Sequence, residues 1–142
     1  MARIVLVLMV TTSLAMAALA AAEEIHYANR TTLQWKMTWA EGQTPAPESE
    51  MAYKVYRTLA TAPDKENPEF LAEIRGKDTF PVAFAKEGKY ILGVRAVRYK
   101  PGKEEPIESP IGWSDVPENT YDKPFSVQFD LPPEAPTEVK AE

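Results

Sequence analysis

Residues 31–39 read Thr-Thr-Leu-Gln-Trp-Lys-Met-Thr-Trp, with apolar positions at every second place. Side chains of a β-strand alternate between two faces, so this spacing gives one apolar face and one wet face. A helix would scatter the same residues around its axis. The pattern therefore predicts a strand over residues 31–39, with Trp35, Met37 and Trp39 turned to a core. Further strands are predicted over residues 51–57, 69–74, 79–85, 89–99 and 124–130. The longest, 89–99, places Leu92, Val94 and Ala96 on alternate positions after Tyr90. Pro81 cannot donate to a ladder, so the strand at 79–85 belongs at an edge or at a bulge. Prolines, glycines and charges break the pattern in loops at 40–50, 59–68 and 100–110, in a turn at 75–78, and in an irregular stretch at 111–120. Residues 131–142 read as a tail or linker. Past residue 22 there is no strong helical segment and no long repeat. Short strands with frequent turn signals predict an all-β sandwich or barrel.

The first residues follow a different logic. Met1-Ala2-Arg3 supplies a positive start, and residues 4–22 are uncharged and apolar or small. Ala20 and Ala22 form the small-x-small pair of a secretory cleavage site, which places cleavage before Glu23. Ala18 and Ala20 offer a second cleavage point. The competing reading is an uncleaved anchor, since ~20 apolar residues suffice to span a bilayer. The alanine-rich second half and the acidic Glu23 and Glu24 favour a signal peptide. The expected outcome is an exported, periplasmic or extracellular protein with one domain over residues 23–130 and no further membrane span.

Composition narrows the chemistry. The formal net charge is −5, and one unit more negative without Arg3. An acidic chain has no general attraction for nucleic acid or for anionic membranes. There is no cysteine, hence no disulfide, no lipidated cysteine and no thiolate metal site. The core alone must hold the domain together.

The order of motifs resembles a fibronectin type III domain. Trp39 closes an alternating strand in the manner of that family's core tryptophan on the second strand. Tyr53-Lys-Val55-Tyr56-Arg57 is similar to the third strand. Phe84, Gly88 and Tyr90, followed by Leu92, Val94 and Ala96, resemble the tyrosine corner and the sixth strand, and Gly112-Trp113-Ser114 the start of the seventh. The resemblance covers residues 31–114 and extends more weakly to Asp130. It implies an immunoglobulin-like two-sheet sandwich of about seven strands, with the Tyr90 hydroxyl bonded back to upstream backbone. Two departures stand out. The family's opening Pro-x-x-Pro-like segment is missing before the first strand, while Pro132-Pro-Glu-Ala-Pro136-Thr-Glu-Val139 places a similar segment at the far end. The segment after Ser114 is also longer than a normal final strand.

Catalytic chemistry finds little support. His26 is the only histidine, and it lies near the expected mature N-terminus, where fraying is common. A catalytic triad or a histidine metal site would need it there, with partners, and with no cysteine either the usual kinds of nucleophilic catalysis are nearly excluded; no phosphate-binding glycine loop occurs. Glu104, Glu105, Glu108 and Asp115 are oxygen donors suited to Ca²⁺, but without calcium-loop spacing they read as a solvated loop. Arg75-Gly-Lys-Asp78 reads as a turn. Asn29-Arg-Thr31 matches a glycosylation sequon by pattern. No enzyme, cofactor or metal is expected.

The resemblance implies that the loops at 40–50, 75–78 and 100–110 meet at one end. Loops on a rigid scaffold are where binding residues concentrate. The third loop is long, charged and stiffened by prolines, and Tyr99 and Trp113 flank it. Tyr99, Lys100, Lys103, Glu104 and Trp113 are the candidate binding residues. The expected function is a non-enzymatic interaction module for an envelope or extracellular protein, or for a surface polysaccharide. The alternative is a carbohydrate-binding or accessory subunit of a secreted hydrolase system.

Overall fold

Strands form where the alternation predicts them, and their ends are set by where partners run out. The computed structural model describes residues 23–121 and 123–141, and the predicted export signal lies outside them. The strands are β1 (Glu24–Tyr27), β2 (Arg30–Gln34), β3 (Met51–Leu59), β4 (Glu69–Ile74), β5 (Thr79–Ala83), β6 (Gly88–Arg98), β7 (Ile107–Glu108), β8 (Gly112–Trp113) and β9 (Phe125–Phe129). The only helical piece among the described residues is a 3-10 turn, Glu48–Glu50. No helix among them is long and apolar enough to cross a membrane.

Seven strands make one mixed sheet in the order β1-β9-β6-β3-β4, with β7 and β8 also paired to β6. The other two, β2 and β5, form a separate antiparallel sheet. The expected architecture of about seven strands is thus changed in two ways. First, β1 is a strand rather than a frayed end, and it runs parallel to β9. All four of its residues are exposed, so it is held by backbone pairing and leaves no burial periodicity to read. Second, the final strand is broken into β7, β8 and β9. The N–H of Phe125 donates to the Ser114 carbonyl (2.7 Å), and the Ser114 hydroxyl donates to the Phe125 carbonyl (2.8 Å). These two bonds close a neck from which residues 115–124 loop out, which accounts for the extra length after Ser114.

The inward faces of both sheets share one core. Leu33, Trp35 and Val82 from the small sheet pack with Tyr53, Val55, Leu92 and Val127 from the large one. The core tryptophan is Trp35 rather than Trp39, which is only half-buried. β5 begins at Thr79, so the last ladder bond to this stretch runs from the Trp35 N–H to the Asp78 carbonyl (3.1 Å). Beyond it the alternation continues, but Met37 and Trp39 have no strand beside them to close over them. On the outer face of the large sheet a second cluster joins Tyr56, Ile91 and Trp113.

The corner before β6 is built as its sequence implies. The Tyr90 hydroxyl donates to the Lys86 carbonyl at 2.7 Å. The Phe84 and Tyr90 rings lie 4.8 Å apart, and the Arg57 guanidinium sits over both, at 5.8 and 5.6 Å. Arg57 also donates to the Ala83 carbonyl and, through two nitrogens, to the Glu69 carboxylate. Tyr90→Phe is expected to destabilise by ~1 kcal/mol, the net worth of one such hydrogen bond. Chemical denaturation of the two proteins measures it, and an unchanged midpoint would mean that packing alone holds the corner.

Candidate binding groove and loop end

The three predicted loops do meet. The Tyr99 N–H donates to the Glu50 carbonyl at 2.7 Å, joining the end of the first loop to the start of the third. The Tyr99 hydroxyl donates to the Glu73 carboxylate, and the Arg75 guanidinium lies 4.3 Å from the Tyr99 ring centroid. The carboxylate bond is the main cause that pushes the Tyr99 phenol above its ordinary value. Lys100 and Lys103 flank a tight turn in which the Lys103 N–H donates to the Lys100 carbonyl at 3.2 Å. Pro101 presets the backbone, and Gly102, at φ +82°, supplies the left-handed residue such a turn needs. Lys100, Lys103 and Glu104 are exposed.

Trp113 is elsewhere. It pairs with Gly93 in the middle of β6, and Arg98 ends that strand five positions further on, ~17 Å away. Its ring is only 8% exposed and lies against Gly93, with the Lys65 ammonium 5.7 Å from the ring centroid. Trp113 is therefore a packing element of the outer face, and the five candidate residues do not form one surface.

Two of the four carboxylates weighed for calcium, Glu108 and Asp115, are committed to cations. Glu108 accepts from Lys54 Nζ at 2.7 Å and from Arg95 at 3.2 Å, and Asp115 accepts from Lys65 at 3.3 Å. Among the described residues no three His, Asp or Glu side chains gather to hold a metal ion. The bond from Lys54 holds the Glu108 carboxyl below its ordinary value and raises Lys54. A carboxyl depressed by folding adds stability above its unfolded value of about 4.3, and that stability disappears as pH falls through the folded value. Glu108→Gln is therefore expected to destabilise at pH 7 and to differ little from the parent at pH 3. The loss at pH 7 should be under ~1 kcal/mol, because the pair is partly solvated. Melts across this range check it, and a gap that widened in acid would contradict the pairing.

A groove of about 680 Å³ opens between the two sheets, near the loop end. Trp35, Met37, Val94, Pro110 and Tyr121 are among its lining residues, and so is Trp113. β9 pairs with β6 only over Gly88–Tyr90, and the rest of that edge carries only the two-residue strands β8 and β7. The Trp35 indole N–H is buried and has no acceptor among the described residues.

No family model, curated protein or solved structure matches the chain.

The wall at Trp35 continues the edge of β2, and hydrogen-bond parity shows which backbone groups face outward. The Phe84 N–H donates to the Asn29 carbonyl, and the Trp35 N–H to the Asp78 carbonyl. Pro81, which has no N–H, sits opposite Thr32. The odd-numbered residues of β2 thus pair with β5, and Arg30, Thr32 and Gln34 present N–H and C=O groups to the outer side. Among the described residues no strand pairs with that edge. The outer edge of β5 is different, because Pro81 turns its nitrogen that way and blunts it. β2 carries no proline and no bulge, so it is the undefended edge of the small sheet. Pro81 and the missing opening segment are both visible in the sequence. It could not show that β1 would pair with β9 instead of covering β2.

Proposed function

We propose that this chain is a non-enzymatic, exported interaction module with an immunoglobulin-like fold of the fibronectin type III kind. It takes up an extended polypeptide segment as an added strand beside β2. In such sandwiches the second and fifth strands share one sheet, and the third, sixth and seventh the other. The split of β2 and β5 from β3, β6 and β7–β9, together with the Tyr90 bond to Lys86, supports that assignment. The first strand of such a fold would lie beside the second, and here β1 lies beside β9 instead.

The observation that carries the function is the open β2 edge running into a groove whose lining mixes apolar residues such as Trp35, Met37 and Val94 with polar ones such as Ser109 and Asn119. An added strand gains main-chain hydrogen bonds along the edge and places alternate side chains in the groove. A protein segment suits this site better than a polysaccharide, because Tyr99 is tied to Glu73 and Arg75, and Trp113 is buried. Neither offers a free aromatic face to a sugar ring.

The test is capture of alternating apolar–polar peptides by the protein and by Thr32→Pro, which removes an outward N–H without touching the β2–β5 ladder. Capture is expected in the parent and lost in the variant. Capture that ignores Thr32→Pro but fails on Lys103→Glu would move the site to the loops. Glycan binding without peptide capture would favour the sugar reading.

A further inference from the structure

We propose that the occupant of the groove is the C-terminal segment of a second copy of this chain, seated antiparallel to β2. The inference rests on the strand-addition reading above and names its partner.

Residues 131–141 lie outside every strand and are exposed throughout, with Val139 88% exposed. They have two parts. Residues 131–136 hold three prolines, which cannot extend a ladder and favour a stiff polyproline conformation. Residues 137–141, Thr-Glu-Val-Lys-Ala, are free of proline and glycine. As a strand they put Thr137, Val139 and Ala141 on one face and Glu138 and Lys140 on the other. That matches the wall they would join, where Leu33, Trp35 and Met37 point inward and Gln34 and Lys36 point out.

Charge selects the direction. With Val139 beside Trp35, antiparallel pairing puts Glu138 opposite Lys36 and Lys140 opposite Gln34. Parallel pairing would put Lys140 opposite Lys36, and like charges directly opposite each other are destabilising. The added strand would also bring backbone carbonyls to the wall where the Trp35 N–H lacks an acceptor.

Reach excludes the chain's own tail. The tail leaves β9 at the corner end, where the Leu131 N–H donates to Glu87, near the start of β2. To lie antiparallel, Thr137 would have to stand beside Met37, ~23 Å up the edge from Arg30. Six residues of polyproline span ~19 Å, and no residue is left to reverse the chain. A second copy has no such constraint.

The experiment is light scattering after size exclusion, on the parent and on Lys36→Glu, Glu138→Lys, Gln34→Pro and the Lys36→Glu/Glu138→Lys pair. The parent is expected to self-associate with rising concentration. Each single charge reversal should weaken association roughly tenfold, the pair should restore it, and Gln34→Pro, which removes the outward N–H beside Lys140, should abolish it. A parent that stays monomeric at millimolar concentration would overturn the inference, as would association that ignores the charge reversals. In either case the strand-addition reading survives if peptide capture still depends on Thr32, and falls if it does not.

Discussion

Trp35→Ala is expected to be the most damaging single truncation described here, at ~3–5 kcal/mol, the usual cost of emptying a large aromatic site in a core. The ring is 9% exposed, sits 5.5 Å from the Tyr53 ring and belongs to the cluster that joins the two sheets. Two features pull the value toward the lower end. The site borders the groove, so water can enter the space left behind. The indole N–H has no acceptor among the described residues, and removing a buried unpaired donor relieves ~1–3 kcal/mol. That second point separates Trp35→Phe from Trp35→Ala. The phenylalanine keeps most of the apolar area and drops the unpaired N–H, so it should melt within ~1.5 kcal/mol of the parent. Trp39→Ala, at a half-buried ring, should cost about half as much as Trp35→Ala. Urea unfolding of the three variants checks the order. A larger loss for Trp39 than for Trp35 would put the wrong tryptophan in the core.

The second large effect concerns a residue with no side chain. A Cβ on Gly93 would stand 2.6 Å from Ile111 Cγ2 and 2.8 Å from Trp113 Cε3. Contacts that short force the Ile111 side chain and the Trp113 ring to move. Gly93→Ala is therefore expected to cost ~1–3 kcal/mol through overpacking, against the small gain that alanine usually brings to a strand interior. Its signature is coupling. Trp113→Ala alone should be costly, and in the Gly93→Ala background it should cost less, because the clash it relieves is then present. Additive losses would show that the ring does not rest on Gly93.

How far the sequence carried the fold depends on which face of a strand held the information. β2 and β5 were legible because each buries one face, and burial imposes period two; β3 and β6 bury residues on both faces and were legible from their runs of β-branched and aromatic residues bounded by turns. The tyrosine corner was legible for a related reason, since Phe84, Gly88 and Tyr90 make one local unit whose bond spans only four residues. β1 was not legible, because its partner lies in β9, far along the chain, and none of its side chains is buried. The end of β2 was misjudged for the opposite reason. The alternation persists through Trp39, but a ladder needs a partner as well as a pattern, and β5 has none to give beyond Asp78. The candidate site followed the same rule. The loop end was correctly brought together, whereas Trp113 was placed beside it by sequence nearness, and its pairing with Gly93 turned it onto the outer face instead.

The parallel pairing of β1 with β9 also has a kinetic meaning. β1 is the first of the described strands to be made, yet its partner is the last of them, roughly a hundred residues later, and such distant pairings form slowly. Until β9 arrives, β1 has no ladder partner, and its Ile25 and Tyr27, which stay exposed even when it is docked, add little burial to hold it. Its docking should be the last event of folding and its release the first of unfolding, which makes the β1 amides the earliest to exchange with solvent.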